Sequence, residues 1–167
     1  MRILFLTIIL VCLGGSVCLS QDNKEVNLTT LLEITEKGDF REIRQLILVL
    51  DYQVRDSIMS KHGALFYSAR DRVDTGNIIH CKANRMMKIE LLSFSTCSKD
   101  KYEDFKKQLA SAGFISSGVY KGDRKIKVFK TNTIESEHFE KGSMQVDADT
   151  WTINDGPLIY AIYVMKF

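Results

Sequence analysis

Polar and apolar positions change their spacing several times along the chain, and each change marks an element. Residues 3–13 are apolar apart from Thr7, with Arg2 before them and Gly14-Gly15 after. Cys18-Leu19-Ser20 then supplies small side chains at the positions a signal peptidase reads. The pattern predicts a secretory signal over 1–20, cut before Gln21, and a single domain over 21–167. The run is shorter than the ~18–20 residues that span a bilayer, and no second run of that length follows.

Beyond it, Thr30 and Glu33 have capping-box spacing, with Leu31, Leu32 and Ile34 as the apolar positions and Gly38 as the stop. They predict a helix over 28–37. Asp39 and Glu42 repeat the start signal. Phe40, Ile43, Leu46, Ile47, Leu50, Val54 and Ile58 recur at three- and four-residue steps. That spacing predicts a longer amphipathic helix over 40–61, ended by His62-Gly63. Residues 64–84 show neither period clearly. Met86–Phe94 reads as a strand, and Ser98 to Ala112 as a helix faced by Tyr102, Phe105 and Leu109 and closed by Gly113.

The last third predicts an antiparallel meander. Its strands are 114–120, 125–134, a stretch from Met144 to Trp151 with strict alternation, and an apolar run over 158–167. Lys121-Gly122-Asp123 and Asn154-Asp155-Gly156 read as turns. The predicted core includes Ile43, Leu46, Leu50, Val54, Ile89, Leu91, Phe105, Leu109, Val128, Val146, Ile162 and Val164.

Composition narrows the function classes. The 167 residues are 45% apolar, with 23 basic against 21 acidic side chains. A net charge of +2 offers no basic excess with which to neutralise nucleic-acid phosphates. Charge is unevenly placed: residues 99–130 hold nine Lys/Arg and four Asp/Glu, and residues 131–156 hold one Lys and six Asp/Glu. Such blocks read as two solvated faces, or as steering charges for a partner.

Cleavage at residue 20 removes Cys12 and Cys18 and leaves Cys81 and Cys97. Two cysteines in an oxidising compartment read first as one disulfide, which stabilises by roughly 3 kcal/mol, with free thiols as the alternative. Asn27-Leu28-Thr29 is a glycosylation sequon, and Asn27 equally reads as a helix cap. No cofactor motif is present: there is no P-loop, H-E-x-x-H, G-x-S-x-G or G-x-G-x-x-G. His80 beside Cys81 lacks any metal-ligand spacing.

The order of helices, a strand, a helix and a meander resembles the nuclear-transport-factor-2-like, or SnoaL-like, superfamily in its small secreted members. The local likeness is an aromatic strand leading to a cysteine and a helix, Phe94-Ser95-Thr96-Cys97-Ser98 and on through Tyr102, Phe105 and Leu109. The resemblance implies an α+β fold whose N-terminal helices pack on a curved antiparallel sheet, a cone-shaped half-barrel with an apolar pocket. Members of that superfamily include isomerases, dehydratases, ligand carriers and dimeric adaptors, so fold alone does not choose among them.

Enzymes on that fold use Asp, His and Tyr directed into the cone. The candidates here are Asp147 and Asp149, two apart and so on one strand face, with Tyr160 and Tyr163 on the next strand and His62, His80 and His138. The plainer reading puts both carboxylates on a solvated face. A cystatin-like inhibitory hairpin is a distant third reading, because Gln145–Asp149 lacks its glycine. The sequence therefore favours a secreted, non-catalytic domain that binds a small apolar ligand or a protein. The alternatives are an isomerase- or lyase-type enzyme and a homodimeric interaction module.

Overall fold

The structure, a computed structural model, describes residues 25–124, 132–152 and 156–167. The predicted signal segment, Val128 and the Asn154-Asp155 pair lie outside the described residues. Helix α1 spans Leu28–Lys37. Asn27 Oδ1 accepts from the Thr30 amide at 2.9 Å, and Gly38 closes the helix at φ +66°, where a side chain would be strained. Helix α2 spans Phe40–Val49 and is capped by Asp39, whose carboxylate accepts from the Arg41 amide at 2.9 Å.

The helix expected over 40–61 therefore stops at Val49. Asp51 takes φ +57°, and strand β1 follows over Tyr52–Met59. The reason is a period ambiguity: Leu50, Val54 and Ile58 satisfy four-residue steps, but Tyr52, Val54 and Ile58 also fit a two-residue repeat. β-branched and aromatic side chains favour the second.

Residues 64–84 form strands β2 (Leu65–Asp71) and β3 (Ile78–Ala83). The remaining elements are β4 (Ile89–Thr96), α3 (Lys99–Ser111), β5 (Ile115–Arg124), β6 (Asn132–Lys141), β7 (Met144–Thr152) and β8 (Leu158–Lys166). The turn expected at 121–123 is absent, because β5 runs through it to Arg124.

All eight strands form one sheet in the order β1-β2-β3-β4-β8-β7-β6-β5, and every neighbouring pair is antiparallel. Two four-stranded meanders thus meet where β4 pairs β8. This corrects the expected cone-shaped half-barrel. The two edge strands, β1 and β5, lie at opposite ends of the order and do not pair, so the sheet is open rather than closed. The long helix that such a cone would wrap is also missing among the described residues.

The helices share one face of the sheet. Leu28, Leu31, Ile34, Ile43, Ile47, Phe105 and Leu109 are buried against Ile79, Leu92, Phe94, Val146, Ile162 and Val164. Burying one such aliphatic side chain stabilises the fold by roughly 1.5–3 kcal/mol. Of the other expected core residues, Leu46 and Leu50 are partly buried, while Val54 is exposed on the edge strand. Leu91 lies on the opposite face from Leu92. The two charge blocks meet within the chain: Lys106 pairs with Glu137 at 2.6 Å and Lys121 with Glu135 at 2.8 Å.

Candidate functional site

No helix lies over the second face of the sheet among the described residues, and strand register decides what gathers there. Asp56, Ser68, His80, Ser93, Tyr163, Asp147 and His138 fall opposite one another in a row running from β1 to β6. The adjacent row is apolar at its β1 end: Ile58 faces Phe66, Phe66 faces Lys82, and Lys82 faces Leu91. Ser93 and Ala161 are buried on this face without a helix above them. Their small side chains form the floor of a trough whose walls are larger neighbours such as His80 and Tyr163.

At the β1–β4 end the trough deepens into a cavity of about 280 Å³. Ile58, Phe66 and Leu91 supply its apolar part, and Asp56, Ser68 and His80 supply the polar end. Ser68 Oγ donates to Asp56 Oδ2 at 3.3 Å. Lys82, also at the wall, is paired with Glu90 at 2.7 Å. Partial burial lowers the His80 pKa, and the nearby Asp56 charge opposes that in part. The imidazole is thus held toward its neutral form, which can both donate and accept a hydrogen bond.

The β6–β7 end of the same row is a polar cluster. His138 Nδ1 lies 2.8 Å from Asp147 Oδ1, and Gln145 Nε2 donates to the same oxygen at 2.8 Å. Ser136 Oγ donates to Asp149 Oδ1. His138 belongs to β6.

Asp147 and Asp149 do share a face, and both are half-buried. Tyr160 is not with them. It is buried on the helix face, 4.9 Å from the Tyr102 ring, and Tyr102 in turn donates its hydroxyl to the Ala148 carbonyl at 3.0 Å. Sheet thickness separates Tyr160 from the carboxylates, so the three do not form one constellation. His62 sits in the turn after β1, because the helix it was expected to end stops thirteen residues earlier, at Val49.

The expected Cys81–Cys97 disulfide is not formed, and both thiols are free. Cys81 pairs in register with Leu92, five residues before Cys97 on the neighbouring chain segment. Five strand residues span about 16 Å, well beyond disulfide reach. Cys81 is buried and its thiol pKa is pushed up to about 12 by that burial, whereas Cys97 is exposed. His80 and Cys81 are consecutive on a strand, so they face opposite sides and make no nucleophilic pair.

Asn27 caps α1 through Oδ1, which leaves Nδ2 free of that bond, and the sequon's Thr29 is exposed. Among the described residues, no cluster of three His, Cys, Asp or Glu side chains could hold a metal, and no helix is long and apolar enough to cross a membrane. Comparisons with family models, with curated proteins and with solved structures return no match, and nothing in them identifies the nuclear-transport-factor-2-like superfamily.

Proposed function

We propose that the protein is a secreted, non-catalytic binding protein that holds a small apolar ligand on the helix-free face of its sheet. The observation that carries this reading is the 280 Å³ cavity, apolar at Ile58, Phe66 and Leu91 and polar at Asp56, Ser68 and His80. A ligand with an apolar body and a single polar group fits that division. Its volume sits just under the usual range for ligand pockets of about 300–1,000 Å³, which points to a compact molecule. The N-terminal apolar run supports export.

The isomerase- or lyase-type alternative has two supporting features, the His138–Asp147 pair at 2.8 Å and Tyr163 opposite Asp147 in register. Tyr160 lies across the sheet from this group, and none of His138, Asp147 and Tyr163 lines the apolar cavity, so binding is the better reading.

Titration with the neutral apolar fluorophore N-phenyl-1-naphthylamine tests the reading. Saturable uptake at one site per chain is expected, with loss of uptake in Phe66→Ser. Phe66 is exposed, so that change leaves the core alone. Absence of uptake, or unchanged uptake in the variant, overturns the proposal.

A further inference from the structure

The end of the sheet where α2 begins is built from two strand turns held against each other. Residues 60–64 join β1 to β2, and residues 84–88 join β3 to β4. The Arg85 side chain donates to the His62 carbonyl and lies across Gly63. The second turn is rigid. Asn84 Oδ1 accepts from the Met86 amide at 2.9 Å and from the Lys88 amide at 3.1 Å. The Phe40 amide donates to the Met87 carbonyl at 3.1 Å, and Asp39 bridges Lys88 as a short antiparallel pair.

On this frame stand three methionines that contribute little to the core. Met86 is 78% exposed, Met59 60% and Met87 38%. Met87 also takes φ +58°, a left-handed conformation in which glycine would be unstrained. A methionine retained at that cost, facing water, asks for a reason on the surface.

The charge around them is mostly basic, with Asp39 and Glu42 at the start of α2 as the acidic side chains and Asp39 close enough to attract Lys88. Arg41, Arg44, Lys61, Arg85 and Lys88 belong to the two turns and the start of α2. Arg41 is paired with Asp39 at 2.6 Å, while Arg44, Lys61, Arg85 and Lys88 make no ion pair among the described residues. Arg44, Met86, Met87 and Lys88 border one recess of about 390 Å³, together with Phe40 and the Asp39–Arg41 pair.

We propose that this end of the molecule docks on an anionic lipid surface. Met86 and Met87 enter the boundary between headgroups and acyl chains, and Arg44, Lys61, Arg85 and Lys88 meet the lipid phosphates and carboxylates. The unpaired cations supply the charge complementarity. The methionines decide between occupants. A polyanion such as nucleic acid is bound by charge alone and gives an apolar tip nothing to enter. Flexible thioether side chains projecting from a rigid tip suit a fluid acyl layer.

The long basic side chains keep their heads among the lipid headgroups while their stems lie against the apolar boundary. Asn27 is at the far end of the ten-residue helix α1, about 15 Å away along its axis, so a glycan there would be attached away from the tip. This inference stands on its own residues and does not require the cavity to be filled.

Sedimentation of the full chain, produced in eukaryotic cells, tests it. The vesicles are phosphatidylcholine alone or phosphatidylcholine with added phosphatidylserine. Binding to the anionic vesicles, weakened by salt, and little binding to the neutral ones are expected. Each basic residue near such a surface is worth about fivefold in binding. Arg44→Gln with Lys88→Gln is therefore expected to weaken binding about 25-fold. Met86→Ser is expected to weaken it severalfold at unchanged circular dichroism. All variants keep the same N-terminus, so any contribution from residues 1–20 cancels.

No difference between the wild type and the charge variant overturns the proposal. So does undiminished binding by Met86→Ser, which would leave a plain polyanion site, and heparin binding without vesicle binding would point to the same conclusion.

Discussion

At the scale of single residues, burial separates the two thiols. Cys81 is buried with its thiol pKa pushed up to about 12, so almost none of it is thiolate at neutral pH, and Cys97 is exposed. Iodoacetamide is expected to label Cys97 in the native protein and Cys81 only after unfolding, without prior reduction. Peptide mapping that finds neither labelled would restore the bridge that cysteine counting suggests. Counting could not see the distance, because strand register sets it.

Two further side chains carry readable predictions. Tyr102→Phe removes the donor to the buried Ala148 carbonyl and is expected to cost about 1–2 kcal/mol in denaturant unfolding, with the ring contact to Tyr160 kept. For His80 the sign follows from its lowered pKa. The fold prefers the neutral ring, so this contribution is complete above the ordinary value of 6.5 and is lost as pH falls through it. Thermal unfolding at pH 7.5 and at about 5.5 is expected to show a larger loss in wild type than in His80→Gln. The ring is open to solvent on one side, so the difference is small.

At the scale of elements, legibility followed the strength of the local signal. The first helix, the helix after Cys97 and the alternating strand at Met144–Thr152 announce themselves through caps and a single clear period. The 40–61 stretch does not, because the same apolar residues satisfy two periods until Asp51 turns the chain. β2 and β3 escape notice because small inward residues, Ala69, Cys81 and Ala83, are mixed with the large Leu65, Tyr67 and Ile79, while Phe66 and Ile78 put apolar side chains on the other face, and the alternation is blurred. The trough on the helix-free face is less legible still: each of its residues comes from a different strand.

The turn at 84–88 yields a prediction of its own. Met87 is held at φ +58°, so Met87→Gly relieves backbone strain there. The change is expected to stabilise the protein by up to about 1 kcal/mol against denaturant, although glycine loosens the unfolded chain and offsets part of it. The same variant is expected to bind anionic vesicles less well. Stability and surface function would then move in opposite directions at one residue, which a purely structural methionine would not show.

At the scale of the whole molecule, the decisive contact is between β4 and β8. Leu92 lies opposite Val164 and Phe94 opposite Ile162, pairs that join segments some seventy residues apart in the chain. Nothing local encodes this pairing, which is why element order suggested a cone-shaped half-barrel and the structure is an open sheet. The same pairing places the most buried strands in the middle, under the helices, and leaves β1 and β5 with one hydrogen-bonded neighbour each. Opening at an edge breaks one ladder, while exposing β8 requires the two meanders to part and the core of Ile162, Val164 and Phe94 to come apart. Local stability should therefore rise from the edges to the centre. Hydrogen exchange followed by mass spectrometry is expected to show slowest exchange in β4 and β8 and fastest in β1 and β5. Ile162→Ala, which opens a cavity at that junction, is expected to cost about 2–5 kcal/mol and to speed exchange in both meanders together. If only the β5–β8 half responds, the halves are separate cooperative units, and the β4–β8 seam is not what unites the fold.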